Sequence, residues 1–493
     1  MTQQPESPFD VFNSDSDEEE TSESLLDGEA IARAKLLVAR ASVNKAEVSA
    51  SAAIAEGEWD KTLPWDAPLF FGPVKIETCR DVGGERGMVA VGEIEAGTLV
   101  LVEDPMVRWS SDDDKSIDPD VLELIFSRVL DAQKLIHNAE HLHPTKTAID
   151  LGSPPCSNDV KELVSELQSL YGQDDRIPHL LDKLNASGLA NSDGSKITKQ
   201  DLLRLLLVVR FNGLESGLYC FTAMLNHSDQ PNCVKFKGEK FSEVRTTRSV
   251  KPGEMLTISY VPRICSHATR RRHLWQQHRF DIGDAVPPDL FQMELVAQHI
   301  PPSWTNHIET ESVTTRIENT ISELEGLLIG MEGSAEPTES LSLEQASLEL
   351  LQAAEDELSN PHHILFIPIL KLHVDSCYVV QRVSSVSSTD RRKLLCRLIA
   401  SASRLELMLT KLFGGDHFDV ASAAMDVAQS LDDLVHRSPQ HLVSSHLLGL
   451  ETIEQYTAVA LDAWKRCKRI KALYPKDAHS IIQRKLAAKK RNG

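Results

Sequence analysis

The side chains best suited to bind a ligand stand close together near the middle of the chain. Asn226, His227 and Ser228 follow an apolar run, and Pro231 and Asn232 come shortly after them. A turn-rich segment of this kind offers backbone donors and acceptors, an amide and an imidazole at one place. Asn and His side chains also often fasten loop backbone, so these residues alone leave ligand binding and a structural role both open.

A strand that ends in a tyrosine follows this polar segment. Strand-like runs at 241–250 and 255–260 flank the sequence KPGE at 251–254. The Pro and Gly of that sequence suit positions i+1 and i+2 of a type II turn. The second run ends at Tyr260, which can serve either as a hydrogen-bonding catalytic group or as a core aromatic residue.

The elements that must position these residues begin with a β-rich region upstream. Residues 87–91 and 98–102 are short β-rich runs separated by a glycine-containing turn, which predicts that they pair as strands. Residues 118–210 then show helical periodicity. The pattern therefore predicts one β-rich domain that is split by a helical insert at about 110–205.

From about residue 289 to the end, the sequence predicts only helices. Amphipathic segments cover about 311–330, 342–358, 363–384, 389–413, 418–436, 440–472 and 477–490. Helices joined by short connections favour antiparallel hairpins stacked as a solenoid or bundle, although no strict repeat period accompanies them.

The composition bounds the partners that this chain can take. Its 493 residues include 52 Lys and Arg against 73 Asp and Glu, for a formal net charge of -21. An acidic arm over residues 1–28 has little to bury and is expected to be disordered, and an Ala-rich helix is predicted from there to about residue 60. The acidity argues against direct nucleic-acid binding and favours a basic partner.

The sequence also bears on the compartment. No apolar stretch approaches the length that a membrane span needs, and the acidic amino terminus lacks the order of a signal peptide. We therefore expect a cytoplasmic or nuclear protein without a membrane partner. The 8 cysteines are scattered, so their spacing indicates neither a disulfide framework nor a cysteine-rich zinc module.

Taken in order, these motifs resemble the SET-domain lysine methyltransferases, and within them the SET and MYND subgroup. The motifs read GLY (217–219), NHS (226–228), PNC (231–233), KPGE (251–254) and ISY (258–260), after an opening segment GGERGMVA (83–90). The resemblance implies a monomeric α+β protein with a SET domain over 74–260, a zinc-free post-SET segment over 261–288 and a TPR-like helical domain over 289–493.

The resemblance also implies a reaction, which is methyl transfer from S-adenosyl-L-methionine to the side-chain amine of a protein lysine. The neutral amine attacks the sulfonium methyl group in line, so catalysis is mainly positioning and desolvation. Tyr260 would be the catalytic residue, with a hydroxyl that orients the amine. The implied cofactor-binding residues are Arg86, Gly87, Asn212, Asn226, His227, Tyr260 and Phe280. The implied substrate-channel residues are Leu214, Tyr219 and His278.

The sequence departs from the zinc-bearing relatives at every cysteine that would hold the metal. The position directly after NHS is Asp229, and no cysteine lies between Cys265 and Cys377. No metal is therefore expected, and the segment 265–285 is expected to be held by packing. The residues predicted to provide that packing are Leu274, Trp275, Phe280 and Ile282.

Three further departures leave a second function open. Glu85 stands where the family has a glycine, Leu214 where it has an aromatic residue and His278 where it has a tyrosine. Fewer aromatic side chains weaken the cation–π attraction of a channel for an ammonium group. The alternative is a catalytically inactive SET scaffold that binds protein partners through its C-terminal helices. A third possibility is the zinc-free SET group that has a different helical substrate-binding domain.

Overall fold

The computed structural model contains two compact units. One comprises residues 51–287 and 476–493, and the other comprises residues 1–50 and 288–475. The structure describes residues 65–79, 85–108, 132–145, 175–214, 217–237, 241–279, 281–283, 304–331, 337–358, 360–382 and 386–476, together with a few isolated positions. The predicted acidic arm, the helix predicted up to residue 60 and the last predicted helix lie almost wholly outside these ranges.

Short strands dominate the described part of the first unit. They are β1 (Phe70–Phe71), β2 (Val74–Cys79), β3 (Glu85–Ala90), β4 (Leu99–Glu103), β5 (Val107–Arg108), β6 (Gly213–Leu214), β7 (Gly217–Leu218), β8 (Asn226–His227), β9 (Cys233–Lys237), β10 (Ser242–Thr246) and β11 (Met255–Ile258). Their sheet orders are β1-β4-β10-β9, β2-β3-β11-β8 and β5-β7-β6. The helices are α1 (Ala132–Ala139), α2 (Arg176–Ala186), α3 (Lys199–Asn212) and α4 (His267–His278).

The prediction that the two upstream runs pair with each other is wrong. Strand β3 pairs with β2 and β11, whereas β4 pairs with β1 and β10 in a different sheet. The segment that joins β3 to β4 does not form a β-hairpin. Ile94 within it forms an isolated β-bridge with Val250 instead. The backbone then bends at Gly97, where φ is +79°, a value that favours glycine.

The type II turn predicted at 251–254 is present. The amide of Glu254 donates to the carbonyl oxygen of Lys251 at 3.0 Å, which closes the turn. Gly253 has a φ of +79°, the left-handed conformation that position i+2 of this turn requires. The turn leads the chain from β10 into β11, which ends at Ile258, two residues before Tyr260.

Helix α3 is buried around most of its circumference. Thr198 caps its amino terminus in a capping box with Asp201, and residues 202–209 are buried along its length. Most of these buried residues are apolar, and the one arginine among them, Arg204, donates to the carbonyl oxygens of Ala139 and Pro144, so the helix suits the interior. Helix α3 therefore runs through the core of this unit and ends at Asn212.

A buried carboxylate organises the loop that leads into β8. Glu103 Oε1 accepts hydrogen bonds from the backbone amides of Cys220 (2.7 Å) and Phe221 (2.9 Å). Its Oε2 accepts from the amide and the hydroxyl of Thr222 at 2.8 and 2.9 Å. Burial raises the pKa of Glu103, and the four hydrogen bonds oppose that shift only in part. The loop before Asn226 is thus shaped by a residue more than a hundred positions upstream.

We expect Glu103→Gln to destabilise this unit by about 2 kcal/mol or more, because an amide NH₂ cannot accept the hydrogen bonds that one carboxylate oxygen accepts now. The measurement is urea unfolding at pH 7. Glu93→Gln, at an exposed position, is the control and should change stability by less than about 0.5 kcal/mol. Equal midpoints for Glu103→Gln and wild type would contradict the account.

The second unit is helical throughout its described elements. The helices are α5 (Trp304–Met331), α6 (Pro337–Leu358), α7 (Phe366–Gln381), α8 (Ser388–Phe413), α9 (Phe418–Arg437), α10 (Pro439–Ser445) and α11 (Ile453–Leu473). Sequential helices from α5 to α9 contact one another, and α9 also packs on α11. No helix within the described ranges of the chain has the length and apolar character needed to cross a bilayer.

The single helix predicted over 440–472 is wrong, because the structure divides it. Helix α10 ends at Ser445, and His446 and Leu448 adopt left-handed φ values of 45° and 56°. Helix α11 begins anew after Thr452, which forms a capping box with Gln455. Two consecutive amphipathic stretches keep the same apolar pattern across a break, so periodicity alone did not reveal it.

A tyrosine and a carboxylate link α7 to α9. Tyr378 donates its hydroxyl to Asp426 Oδ1 at 2.8 Å. Burial raises the pKa of Asp426 to about 7; the bond from Tyr378 opposes this shift and the charge of Asp375 adds to it. Asp426 therefore changes its charge near neutral pH in the folded protein.

This shift predicts a pH-dependent stability. An unfolded Asp titrates near about 3.9, so the stabilising contribution of protonated Asp426 is complete below that pH and is lost as the pH rises through about 7. We expect the melting temperature of wild type to fall, relative to Asp426→Asn, between pH 5 and pH 8. Asp356→Asn, at an exposed position on α6, is the control. A constant difference across this range would refute the assignment.

Candidate functional site

Strand β11 brings three of the sequence motifs together. It lies between β3, which carries Arg86 and Gly87, and β8, which consists of Asn226 and His227. The pairing with β3 is antiparallel, and the pairing with β8 is parallel, with Ile258 opposite His227. The chain reaches Tyr260 two residues after Ile258, so the tyrosine lies beside the end of β8. One small sheet thus positions most of the residues named from the motifs.

Tyr260 is held by its backbone, its hydroxyl and its ring. Its amide donates to His227 Nδ1 at 3.1 Å, and its hydroxyl donates to the carbonyl oxygen of Leu225 at 2.8 Å. Its ring centroid lies 5.4 Å from that of His227 and 4.8 Å from that of His278. Because Nδ1 of His227 accepts a hydrogen bond, the neutral ring carries its proton on Nε2.

Asp229 connects His227 to helix α4. Its Oδ1 lies 3.6 Å from His227 Nε2 and 3.5 Å from Arg270 Nε. Arg270 is only 1% exposed and also donates from Nη1 to the carbonyl oxygens of Cys265 (2.6 Å) and Arg263 (3.3 Å). Burial acts to raise the pKa of Asp229, but the nearby imidazole of His227 and the charge of Arg270 outweigh it and hold that pKa below its usual range. An ion pair thus occupies the position directly after NHS.

The apolar packing predicted for the segment after Tyr260 is only partly present. Leu274 is fully buried, but Trp275 is 38% exposed, so its predicted packing role is wrong. Neighbouring residues on a helix point about 100° apart, and Leu274 shares the inward face with Arg270 four residues earlier. Ile282 is half-buried, and Phe280 lies outside the described residues.

Polar contacts do much of the fastening instead. Arg271 forms a bidentate ion pair with Asp281, with distances of 2.5 and 2.7 Å. His267 Nε2 lies 2.9 Å from the carbonyl oxygen of Gly283. Arg210 of α3 donates to two carbonyl oxygens near the end of α4. The first two contacts fix the residues after α4 to that helix, and the third fixes α4 to α3.

The side chain of Arg86 and its backbone have different surroundings. The guanidinium donates to the carbonyl oxygen of His141 and lies 5.8 Å from the ring centroid of Trp65. The carbonyl oxygen of Arg86 accepts from Asn226 Nδ2 at 3.4 Å, which links β3 to β8 across β11. Gly87 is buried beside it. Arg86 therefore reaches the other motif residues through its backbone.

The remaining residues named for the site lie near the end of α3. Asn212 Nδ2 donates to the carbonyl oxygen of Val208 at 2.9 Å and to that of His143, so its amide group fastens the end of the helix. Leu214 is half-buried on β6. Tyr219, after β7, is 1% exposed. His278 contrasts with Tyr219 because it is half-buried and its ring contacts that of Tyr260 at a tilt of 44°.

Asn232 is a structural residue of the site that the sequence analysis noted only as a motif letter. Its Nδ2 donates to the carbonyl oxygen of Met255 (2.8 Å) and to Glu254 Oε1 (3.2 Å), and its Oδ1 accepts from the amide of Thr257 (2.8 Å). The residue is 1% exposed. It fastens the loop after β8 to β11, and its place in the PNC motif was the available clue.

The helical unit contains a cluster of side chains of the types that bind metal ions. Among the residues that the structure describes, Glu344, His373 and Cys377 place their ligand atoms within 4.8 Å of one another. Arg397 already pairs with Glu344 at 2.8 Å, and Ser347 bonds His373 Nδ1 at 2.9 Å. Burial lowers the pKa of His373 to about 4, so its ring is neutral at pH 7. The guanidinium of Arg397 already places a positive charge beside Glu344, so we still predict that no metal binds here.

We expect Asn232→Asp to destabilise this unit by about 2–4 kcal/mol, because it removes two donor hydrogens and places a second carboxylate beside Glu254. The measurement is the urea midpoint at pH 7. Gln230→Glu adds the same charge at an exposed position of the same loop and is the matched control. The account fails if the two variants lose equal stability.

Comparisons with known proteins identify a family that matches part of this chain. The SET domain family model matches residues 85–261. A putative SET domain-containing protein, L678 of Acanthamoeba polyphaga mimivirus, is 24% identical over 199 residues, which cover 40% of this chain and 70% of the viral protein. The histone-lysine N-methyltransferases SMYD3 of mouse and human are each 38% identical over 66 residues, which cover 13% of this chain and only 15% of theirs.

A solved structure, the SET domain of LSMT bound to lysine and AdoHcy, aligns with 85% of this chain and 97% of its own chain, at 14% identity and a TM-score of 0.26. The matched family segment runs from β3 to the residue after Tyr260 and contains the β3, β8 and β11 strands that form the site. Residues 85–261 are therefore a SET domain, in an α+β chain that continues into a helical carboxy-terminal region.

Proposed function

We propose that this protein transfers a methyl group from S-adenosyl-L-methionine to the side-chain amine of a protein lysine. The observation that carries the proposal is that one small sheet holds Gly87, Asn226 and His227, and that Tyr260, two residues beyond its strand β11, bonds to His227. The order of these residues along the sequence supports the same function. The local similarity to SMYD3 of mouse and human further supports a place near that subgroup.

The chemistry of the residues fits this cofactor. S-adenosylmethionine has adenine and amino-acid ends that need hydrogen-bonding partners. Asn226 and His227 form β8, an edge strand of its sheet, so their backbone groups can provide them. Gly87 has no side chain, so the backbone of β3 can be approached closely there. When bound, the cofactor would supply the electrophilic methyl group.

Tyr260 is suited to orient an amine. Its hydroxyl hydrogen is directed to the carbonyl oxygen of Leu225, so the oxygen can act as an acceptor toward an N–H group. Contacts of its amide and ring with His227 restrict its position. A fixed acceptor of this kind promotes transfer by placing the amine in line, which saves the entropy of orientation.

The proposed substrate is a lysine in a basic protein segment. The formal net charge of -21 favours a basic partner over an acidic one and over nucleic acid. We propose that the helical carboxy-terminal region takes part in binding that segment and that the protein acts as a monomer.

Calorimetric titration with S-adenosylmethionine tests the cofactor, and transfer of its labelled methyl group to core histones and other basic proteins tests the reaction. We expect saturable one-to-one binding by wild type. Tyr260→Phe should bind within about threefold of wild type but lose about 100-fold or more in transfer, because the amine loses its acceptor. Tyr474→Phe, at a tyrosine outside the site whose hydroxyl donates to the carbonyl oxygen of Asp416 at 3.0 Å, is the control for loss of a hydroxyl.

The inactive scaffold is the alternative function. Its support is the amide of Asn212, which is directed to backbone carbonyl oxygens, together with Glu85 at a position where the family has glycine. Absence of cofactor binding by well-folded protein would favour this alternative and rule out the methyltransferase. Binding followed by transfer that depends on Tyr260 would exclude the scaffold.

A further inference from the structure

Among the charged residues that the structure describes, Arg270 is the most deeply buried, and it lies near Tyr260. It lies on α4, ten residues after Tyr260, and is 1% exposed. Its Nη1 donates to the carbonyl oxygens of Cys265 and Arg263, and its Nε faces Asp229 at 3.5 Å. Burying a guanidinium is costly unless other groups compensate it, so these contacts indicate a specific arrangement.

The contacts continue from Arg270 to the backbone of Tyr260. Asp229 Oδ1 lies between Arg270 Nε and His227 Nε2, at 3.5 and 3.6 Å. On the other side of the same ring, His227 Nδ1 accepts the amide hydrogen of Tyr260 at 3.1 Å. The imidazole is thus placed between a carboxylate and a backbone amide, and its neutral form needs one particular tautomer to satisfy both.

We propose that Asp229 and Arg270 act together as positioning residues for methyl transfer, and the inference rests on the proposed function. Arg270 holds the backbone at 263–265, and Asp229 orients His227. The two effects meet at Tyr260, whose amide is bonded to His227 and whose chain continues directly into that backbone. Neither residue contacts the reacting atoms in this scheme.

The side chain type matters because of its shape. A guanidinium is a planar fork with five donor hydrogens, so one group can serve two carbonyl oxygens and a carboxylate. A lysine carries the same charge on a single nitrogen and cannot match these directions. The arginine therefore supplies direction as well as charge, and a substitution by lysine should only partly replace it.

The test uses three single variants, Arg270→Met, Arg270→Lys and Asp229→Asn. It also uses a double variant that combines Asp229→Asn and Arg270→Met. Arg272→Met, an exposed arginine on the same helix, is the control. Turnover at saturating cofactor, cofactor affinity and hydrogen exchange of the Tyr260 amide are measured well below each melting temperature. Arg270→Lys keeps the buried charge, so it replaces Arg270→Met in the comparison if the latter fails to fold.

We expect Arg270→Met and Asp229→Asn each to lower turnover about tenfold and to speed exchange of the Tyr260 amide by a similar factor. The double variant should lose no more than the worse single variant, since the pair acts as a unit. Arg270→Lys should lie between Arg270→Met and wild type, and Arg272→Met should match wild type.

Several results would overturn the inference. One is unchanged turnover in folded Arg270→Met, and another is a loss of turnover in the double variant equal to the sum of the two single losses in free energy. A third is faster exchange of the Tyr260 amide with normal turnover, which would show a structural role alone. If wild type neither binds the cofactor nor transfers methyl groups, the proposed function fails. Hydrogen exchange of the Tyr260 amide then tests the link from Arg270 and Asp229 to Tyr260 independently of activity. Faster exchange in Arg270→Met but not in Arg272→Met supports that link, and unchanged exchange in Arg270→Met overturns it.

Discussion

The site depends on the pairing of β11 with both β3 and β8. Residues of β3 and β8 that touch across this sheet are 140 positions apart, so the pairing closes a long loop at a cost in chain entropy. Burial of Leu256 and Ile258 on β11 offsets part of that cost. Once β11 is in place, its carboxyl end brings Tyr260 to His227, so the arrangement of functional residues follows from a non-local sheet.

Buried polar groups then select one conformation for the loops around this sheet. Glu103 binds the loop before β8, Asn232 binds the loop after it, and Arg270 binds the segment that follows Tyr260. Apolar packing is not directional, whereas hydrogen bonds require particular distances and angles. An ion pair in the interior adds little net stability, but breaking one half of it is costly. Such groups are therefore suited to specifying geometry.

Local sequence patterns predicted the elements better than their partners. The helix predicted over 389–413 is α8 at Ser388–Phe413, and the type II turn at 251–254 is present. Capping residues, periodicity and glycine at a positive φ act within a few residues, so the sequence displays them directly. The pairing of β3 with β4 and the exposure of Trp275 were mispredicted, because both depend on which surface a distant element covers.

The order of the motifs was enough to predict that Asn226, His227 and Tyr260 lie close together and that the chain contains a SET domain, whose family model matches residues 85–261. Only the tertiary structure decided that Asp229 pairs with Arg270 and that Glu103 shapes the loop before β8. Each of these contacts joins residues far apart in the chain, and side chain type alone does not say which of many carboxylates and arginines will meet. That choice is made when the sheets and helices pack, because burial forces each charged group to find a partner within reach.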